Sequence, residues 1–137
     1  MAYATVKRIS GKQFLGIDST NHSVVLSTPA EGIGVKPSEM LLVALGSCTA
    51  VDVVEILEKK KIDLTFLEIS VSAEQDKEPP WTFRKIHLLY KLRGVGLTPK
   101  AAAQAIELSE TKYCSVAATI RGVAEITTSF EILPDQS

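Results

Sequence analysis

At 137 residues with 45% hydrophobic content, the chain has the size of one domain and enough apolar side chains for one core, so a single domain spanning 1–137 is expected. Its 15 Lys and Arg stand against 16 Asp and Glu, a net charge of −1, which offers nothing to a polyanion; nucleic acid is not an expected partner. Residues 1–8 lack the apolar core of a signal peptide, and no apolar run reads as approaching the roughly 18 residues of a membrane span, so a cytoplasmic chain without membrane attachment is expected.

Residues Tyr3–Ile9, Gln13–Ile17 and Ser23–Thr28 read as three short strands separated by the turn signals Ser10-Gly11 and Asp18-Ser19-Thr20-Asn21, most simply an antiparallel meander. The stretch from Pro29 to Gly34 reads as an irregular loop. Pro37 suits a first helical position and Glu39 lies in the first turn, where a carboxylate favours the helix dipole, so a long helix is expected to start near Pro37. Apolar residues fall on every face from Met40 to Leu45 and from Ala50 to Leu57, the pattern of a helix surrounded by protein. The run Glu58-Lys59-Lys60-Lys61 ends it.

Leu67, Ile69, Val71 and Ala73 alternate with polar residues, as do Ile86, Leu88, Tyr90 and Leu92, and the turn-rich Asp76–Pro80 between them makes a long hairpin. Thr98 as N-cap and Pro99 at the first position open a second helix that runs to about Glu110. A short third helix is expected to open around Thr111–Ala117, which places Cys114 near its N-terminus. Residues Arg121–Leu133 read as the last strand, with Ile126, Phe130 and Ile132 on one face.

Two cysteines are too few for a secreted disulfide scaffold, and in a reducing compartment such a pair is either inert or redox-active. Cys48 in an apolar helix would, by itself, read as a core residue. The small residues Gly46 and Ser47 beside it leave room for a substrate, and Asp52 either is hydrogen-bonded for structural reasons or orients a group near Cys48. Arg84 has the parity of Ile86 and Leu88; it is a candidate cation for a thiolate, or its guanidinium reaches back to solvent. His22 and His87 read as solvated, and the His and Cys spacings suggest no metal site.

The opening Pro37-Ser38-Glu39-Met40-Leu41-Leu42, the mid-helix segment Gly46-Ser47-Cys48-Thr49-Ala50-Val51-Asp52-Val53-Val54 and the later Lys112-Tyr113-Cys114-Ser115-Val116 together resemble the superfamily of osmotically inducible protein C and organic hydroperoxide resistance proteins, on its OsmC-like branch. The resemblance covers nearly the whole chain. It implies an α+β fold with antiparallel sheets, two main helices and an intertwined homodimer. It implies a thiol-dependent peroxidase of oxidative-stress defence that reduces organic hydroperoxides. Cys48 would become the sulfenic acid, Cys114 the resolving thiol, and Glu39 a candidate catalytic carboxylate. Gly46, Ser47, Asp52 and Arg84 are the candidate pocket residues. An external dithiol such as dihydrolipoamide would supply electrons, with no metal or other cofactor. Characterised peroxidases of the superfamily carry a glutamate directly after the helix-opening proline and an arginine near the N-terminus; here Ser38 takes the first position, and Lys7, Arg8 and Lys12 form no matching motif. The alternative is a non-catalytic dimer of the same fold that binds a small hydrophobic molecule or senses redox state.

Overall fold

Alternating side chains separated by tight turns make the first part of the chain a sheet. In this computed structural model, which describes residues 1–135, strands β1 (Ala4–Ser10), β2 (Gln13–Asp18) and β3 (Ser23–Ser27) pair antiparallel in chain order, the expected meander. The β2–β3 turn is built by Asp18, whose carboxylate accepts the amide N–H groups of Thr20 and His22, each at 3.0 Å. The His22 amide first, then the Thr20 hydroxyl, hold that carboxyl below the usual aspartate range. Pro29–Glu31 forms a 3₁₀ turn where an irregular loop was expected. Its chain then returns beside β3 through a parallel bridge between Leu26 and Val35. Gly34 makes this close approach possible: at φ 87° a Cβ would stand 2.8 Å from the Val25 carbonyl oxygen.

Helix α1 spans Pro37–Lys59, as the proline and the lysine run indicate. Lys61 sits at φ 60°, and the Ile62 N–H donates to the Leu57 carbonyl while the Lys61 N–H donates to that of Glu58, so the helix closes in a Schellman motif. A left-handed lysine there is costlier than glycine. Lys61→Gly is therefore expected to raise stability by about 0.5–1 kcal/mol, measured as a higher urea midpoint at unchanged slope.

The chain divides into two compact units, residues 1–42 and residues 43 onward, and α1 begins in the first and continues through the second. The expectation that α1 is enclosed on every side is not met within one chain. Leu45, Gly46, Thr49, Val53 and Leu57 form one buried stripe, whereas Val43 and Val51 are 50% and 57% exposed. An 18-residue window of α1 has a mean hydropathy of 2.0 with at most two charges, so by length and composition it meets the requirements of a membrane span. This corrects the expectation that no run comes close. Of that window 28% is buried within the single chain, the part that includes the stripe facing the hairpin.

The second unit is organised on a 13-residue hairpin of β4 (Asp63–Gln75) and β5 (Phe83–Val95). β4 begins earlier than alternation suggests because a bulge between Leu64 and Phe66 shifts the parity of the apolar residues. Ile86, Leu88, Tyr90 and Leu92 are all buried on one face. Gly46 fits α1 against this sheet: a Cβ there would meet Val71 Cγ2 at 3.1 Å. The glycine therefore lets the sheet approach the helix closely.

After β5, α2 (Pro99–Leu108) starts where expected, with Thr98 Oγ1 accepting the Ala101 N–H at 3.1 Å. It runs into a π-helical turn at Ser109–Tyr113, then α3 (Ser115–Ile120). The last strand, β6 (Glu125–Ile132), starts four residues later than expected, because α3 and the turn behind it occupy residues 115–124. It pairs with β5 in parallel, Tyr90 opposite Phe130, which corrects the expectation of purely antiparallel sheets. The residues between β5 and β6 supply the long crossover a parallel pair requires. The architecture is α+β, with two three-stranded sheets and three α-helices among the described residues.

Candidate functional site

Cys48, Thr49 and Asp52 lie within two turns of α1, and the segment from Ser109 to Cys114 is bonded to that part of the helix. The Ser109 hydroxyl donates to Asp52 Oδ2 at 2.8 Å and lies 3.4 Å from the Thr49 carbonyl oxygen. Asp52 is thus hydrogen-bonded across two elements. The π-helical turn is closed by the Cys114 N–H, which donates to the Ser109 carbonyl at 2.7 Å. Cys114 is then the N-cap of α3, and its sulfur accepts the Ala117 N–H at 3.3 Å.

Both cysteines are free thiols: Cys48 is half-buried and Cys114 is 3% exposed. They are neighbours, and their interaction leaves a mark on acidity. Burial first, then the adjoining Cys48 thiol, pushes Cys114 up to about 11, with the Ala117 and Val116 amides acting in the other direction. Dipole activation at the start of α3 therefore loses to desolvation, and Cys114 is a protonated thiol at neutral pH.

Four residues that the sequence reading passed over complete the surroundings. Tyr90, fully buried on β5, is pushed up to about 12 by burial; its neighbours include Thr49, Glu110, Cys114 and Asp52. Ser109 holds Asp52, as described. Glu110 is held by Arg121, whose Nη2 donates to the Glu110 carbonyl oxygen at 2.6 Å and lies 3.8 Å from its carboxylate. Burial pushes the Glu110 carboxyl up, and Arg121 partly offsets this. A cavity of about 320 Å³ borders the site, with Asp52, Ile56, Lys59, Leu108 and Tyr113 in its walls.

The remaining candidates lie elsewhere. Ser47 is exposed and its hydroxyl donates to the carbonyls of Val43 and Ala44, at 2.8 and 3.2 Å. Arg84 forks onto Asp76 at the hairpin turn, with its closest contacts at 3.1 Å, so its guanidinium is committed to that carboxylate. Glu39 is exposed in the first turn of α1, 4.0 Å from Lys36 Nζ. His87, expected to be solvated, has both ring nitrogens engaged, with Thr127 Oγ1 at 2.7 Å and Ser129 Oγ at 2.8 Å on the neighbouring strand β6.

Cys114 and Tyr90 set the alkaline limit of the fold. Each is neutral when protonated and each holds its proton to a higher pH in the folded state than its ordinary value of 9.0 or 10.0. Above those values the unfolded chain binds fewer protons than the native one, so stability is full below about pH 9 and is lost as pH rises towards 11 and 12. Urea midpoints should be level from pH 7 to about pH 9 and fall steadily beyond it; a level series to pH 11 would contradict the burial of these groups.

Two free thiols meeting between a long helix and a crossover segment of an α+β chain define a two-cysteine thiol protein. The family profile described as OsmC-like protein matches residues 30–129. Protein YhfA of Escherichia coli (strain K12) is 36% identical over 130 residues, covering 95% of this chain and 97% of the relative. Among solved structures, a hypothetical protein from Aquifex aeolicus VF5 superposes with a TM-score of 0.83 at 27% identity, covering 98% of each chain. The organic hydroperoxide resistance protein OhrB of Bacillus subtilis superposes with a TM-score of 0.63 at 16% identity, covering 96% of this chain and 98% of that one, a likeness of fold. The chain belongs to the OsmC-like family.

Proposed function

We propose that this protein is a thiol-dependent peroxidase that reduces organic hydroperoxides in the cytoplasm, as part of oxidative-stress defence, and works as a homodimer. The observation that carries this reading is the adjacency of two free thiols in unequal environments. Cys48, the more accessible sulfur, attacks the peroxide oxygen; the O–O bond breaks, an alcohol leaves, and Cys48 becomes a sulfenic acid. The buried Cys114 thiol then displaces that hydroxyl as water and forms a disulfide, which stops oxidation short of sulfinic acid. An external dithiol such as dihydrolipoamide would return the pair to thiols, and neither a metal nor another cofactor takes part. The cavity beside Asp52 and Tyr113, with Ile56 and Leu108 in its walls, suits an apolar organic group better than a strongly hydrated peroxide. The homodimer would cover the exposed apolar residues of α1.

The direct test is mass spectrometry of the protein after one equivalent of cumene hydroperoxide, with free thiols alkylated under denaturing conditions. A Cys48–Cys114 disulfide is the expected product. One observation favours the second reading, a dimer that binds a small hydrophobic molecule or senses redox state: Arg84 is committed to Asp76 and Arg121 to Glu110, so neither stands ready to stabilise a thiolate. Unmodified thiols after peroxide treatment would decide for that reading.

A further inference from the structure

Between α2 and α3 the chain exposes Thr111, Lys112 and Tyr113 and buries the residues at both ends of the turn, Ser109 at 0% and Cys114 at 3% exposed. Burial is ordinary for a thiol and unusual for a serine, whose hydroxyl must then find a partner inside the fold. At the end of the alanine-rich α2, alanine would also be the better helix former. The Ser109 hydroxyl finds its partner on another element: it donates to Asp52 Oδ2 of α1 at 2.8 Å, and the Thr49 carbonyl oxygen lies 3.4 Å away.

This hydrogen bond joins the two segments that carry sulfur. Asp52 follows Cys48 by four residues, one helical turn along the same side of α1. The Ser109 carbonyl in turn accepts the Cys114 N–H at 2.7 Å. Each thiol is therefore one short, rigid step from the bond: a turn of helix on one side, and the closing bond of the π-helical turn on the other. A hydrogen bond to a carboxylate is also the stronger kind. Arg121 makes a second tie by donating to the Glu110 carbonyl oxygen at 2.6 Å, but it reaches the turn from the end of α3. Of the two ties, the Ser109 bond is the one that refers the turn to the helix of Cys48.

We infer that Ser109 is a positioning residue for the second thiol step: its hydrogen bond to Asp52 holds the Cys114 segment against α1, in place for the sulfenic acid formed on Cys48. The inference rests on the peroxidase reading above. In this step the S–S bond forms as the S–O bond of Cys48 breaks; the departing hydroxyl takes the Cys114 proton and leaves as water. The sulfenic sulfur is reduced and the Cys114 sulfur is oxidised to the disulfide level, with no other reactant. Ser109 supplies no atom to the reaction. It acts on the fraction of time the two sulfurs stand in line, which sets the rate of a step within one chain.

The test uses the full chain, reduced, mixed with one equivalent of tert-butyl hydroperoxide and quenched at intervals with dimedone to trap sulfenic acid, with the disulfide counted by mass spectrometry. In Ser109→Ala, disulfide formation is expected to slow about tenfold, the worth of one hydrogen bond to a charged group, while sulfenic acid appears at the wild-type rate and accumulates. A serine that served stability alone would leave both rates unchanged below the melting temperature. Asp52→Asn keeps an oxygen for the Ser109 hydroxyl and should hold the second step near the wild-type rate. Asp52→Ala should slow that step as Ser109→Ala does, and the double variant should slow it no further than either alone. A wild-type second step in Ser109→Ala, or equal slowing of both steps, would overturn the inference while leaving the peroxidase reading standing. Equal second-step rates in Asp52→Asn and Asp52→Ala would do the same, and this pair decides if Ser109→Ala does not fold. A wild-type protein that yields neither adduct nor disulfide would overturn the reading itself, and the inference with it.

Discussion

Cys48→Ser is expected to abolish consumption of an organic hydroperoxide by protein supplied with a dithiol, whereas Cys114→Ser should complete the first oxidation and then fail. The asymmetry follows from the surroundings of the two sulfurs. Cys114 is almost fully buried and protonated to about pH 11, so it is a poor first nucleophile at neutral pH. Without it, the Cys48 sulfenic acid has no thiol beside it to condense with. Peroxide in excess should then carry it to sulfinic acid, read as a mass increase of two oxygens that dithiothreitol does not reverse. Steady-state turnover in Cys48→Ser should fall to the level of buffer. If Cys48→Ser stays active while Cys114→Ser is dead, the two roles are exchanged.

Val51→Asp is expected to have the largest effect on assembly. Val51 is 57% exposed and Val43, two turns earlier on the same side of α1, is 50% exposed, so an apolar stripe lies open in the single chain. In the proposed homodimer this stripe is covered by a second copy, and two-fold symmetry would bury the new carboxylate twice. At about 2 kcal/mol or more for each unpaired group, the dimer should weaken roughly a thousandfold or more. Sedimentation should then move from twice the 14.8 kDa chain mass towards the single chain, with loss of the folded signal if the dimer is obligate. A wild-type chain that sediments as a folded monomer would overturn the dimer outright.

Both ends of α1 were legible because capping chemistry is local: Pro37 and the lysine run each carry their meaning within one turn. The hairpin was legible in its middle, where apolar residues alternate without interruption, but the bulge at Leu64 and Phe66 broke the parity that marks the start of β4. Strand direction was not legible for β6. Alternation gives the face of a strand and not its orientation, and Ile126, Phe130 and Ile132 would serve equally well in either sense. The cysteine pair came from a resemblance rather than from spacing. Tyr90 was hidden for another reason: between Leu88 and Leu92 it completes a core pattern, and nothing in that pattern marks its hydroxyl. Ser109 and Glu110 looked like the end of a helix, and Arg121 like the start of a strand, because their partners lie on other elements.

The π-helical turn at Ser109–Tyr113 makes the meeting of the two thiols a matter of chain length as much as of side-chain identity. An α-helical turn closes on one residue fewer, and each residue of α-helix turns the chain by about 100° and advances it by about 1.5 Å. A deletion of one residue between 109 and 113, with the turn relaxing to an α-helix, would swing Cys114 away from Cys48 while every side chain that lines the site kept its identity. In this chain the proposed thiol pair would therefore be lost through a single deletion that leaves every residue of the site in place.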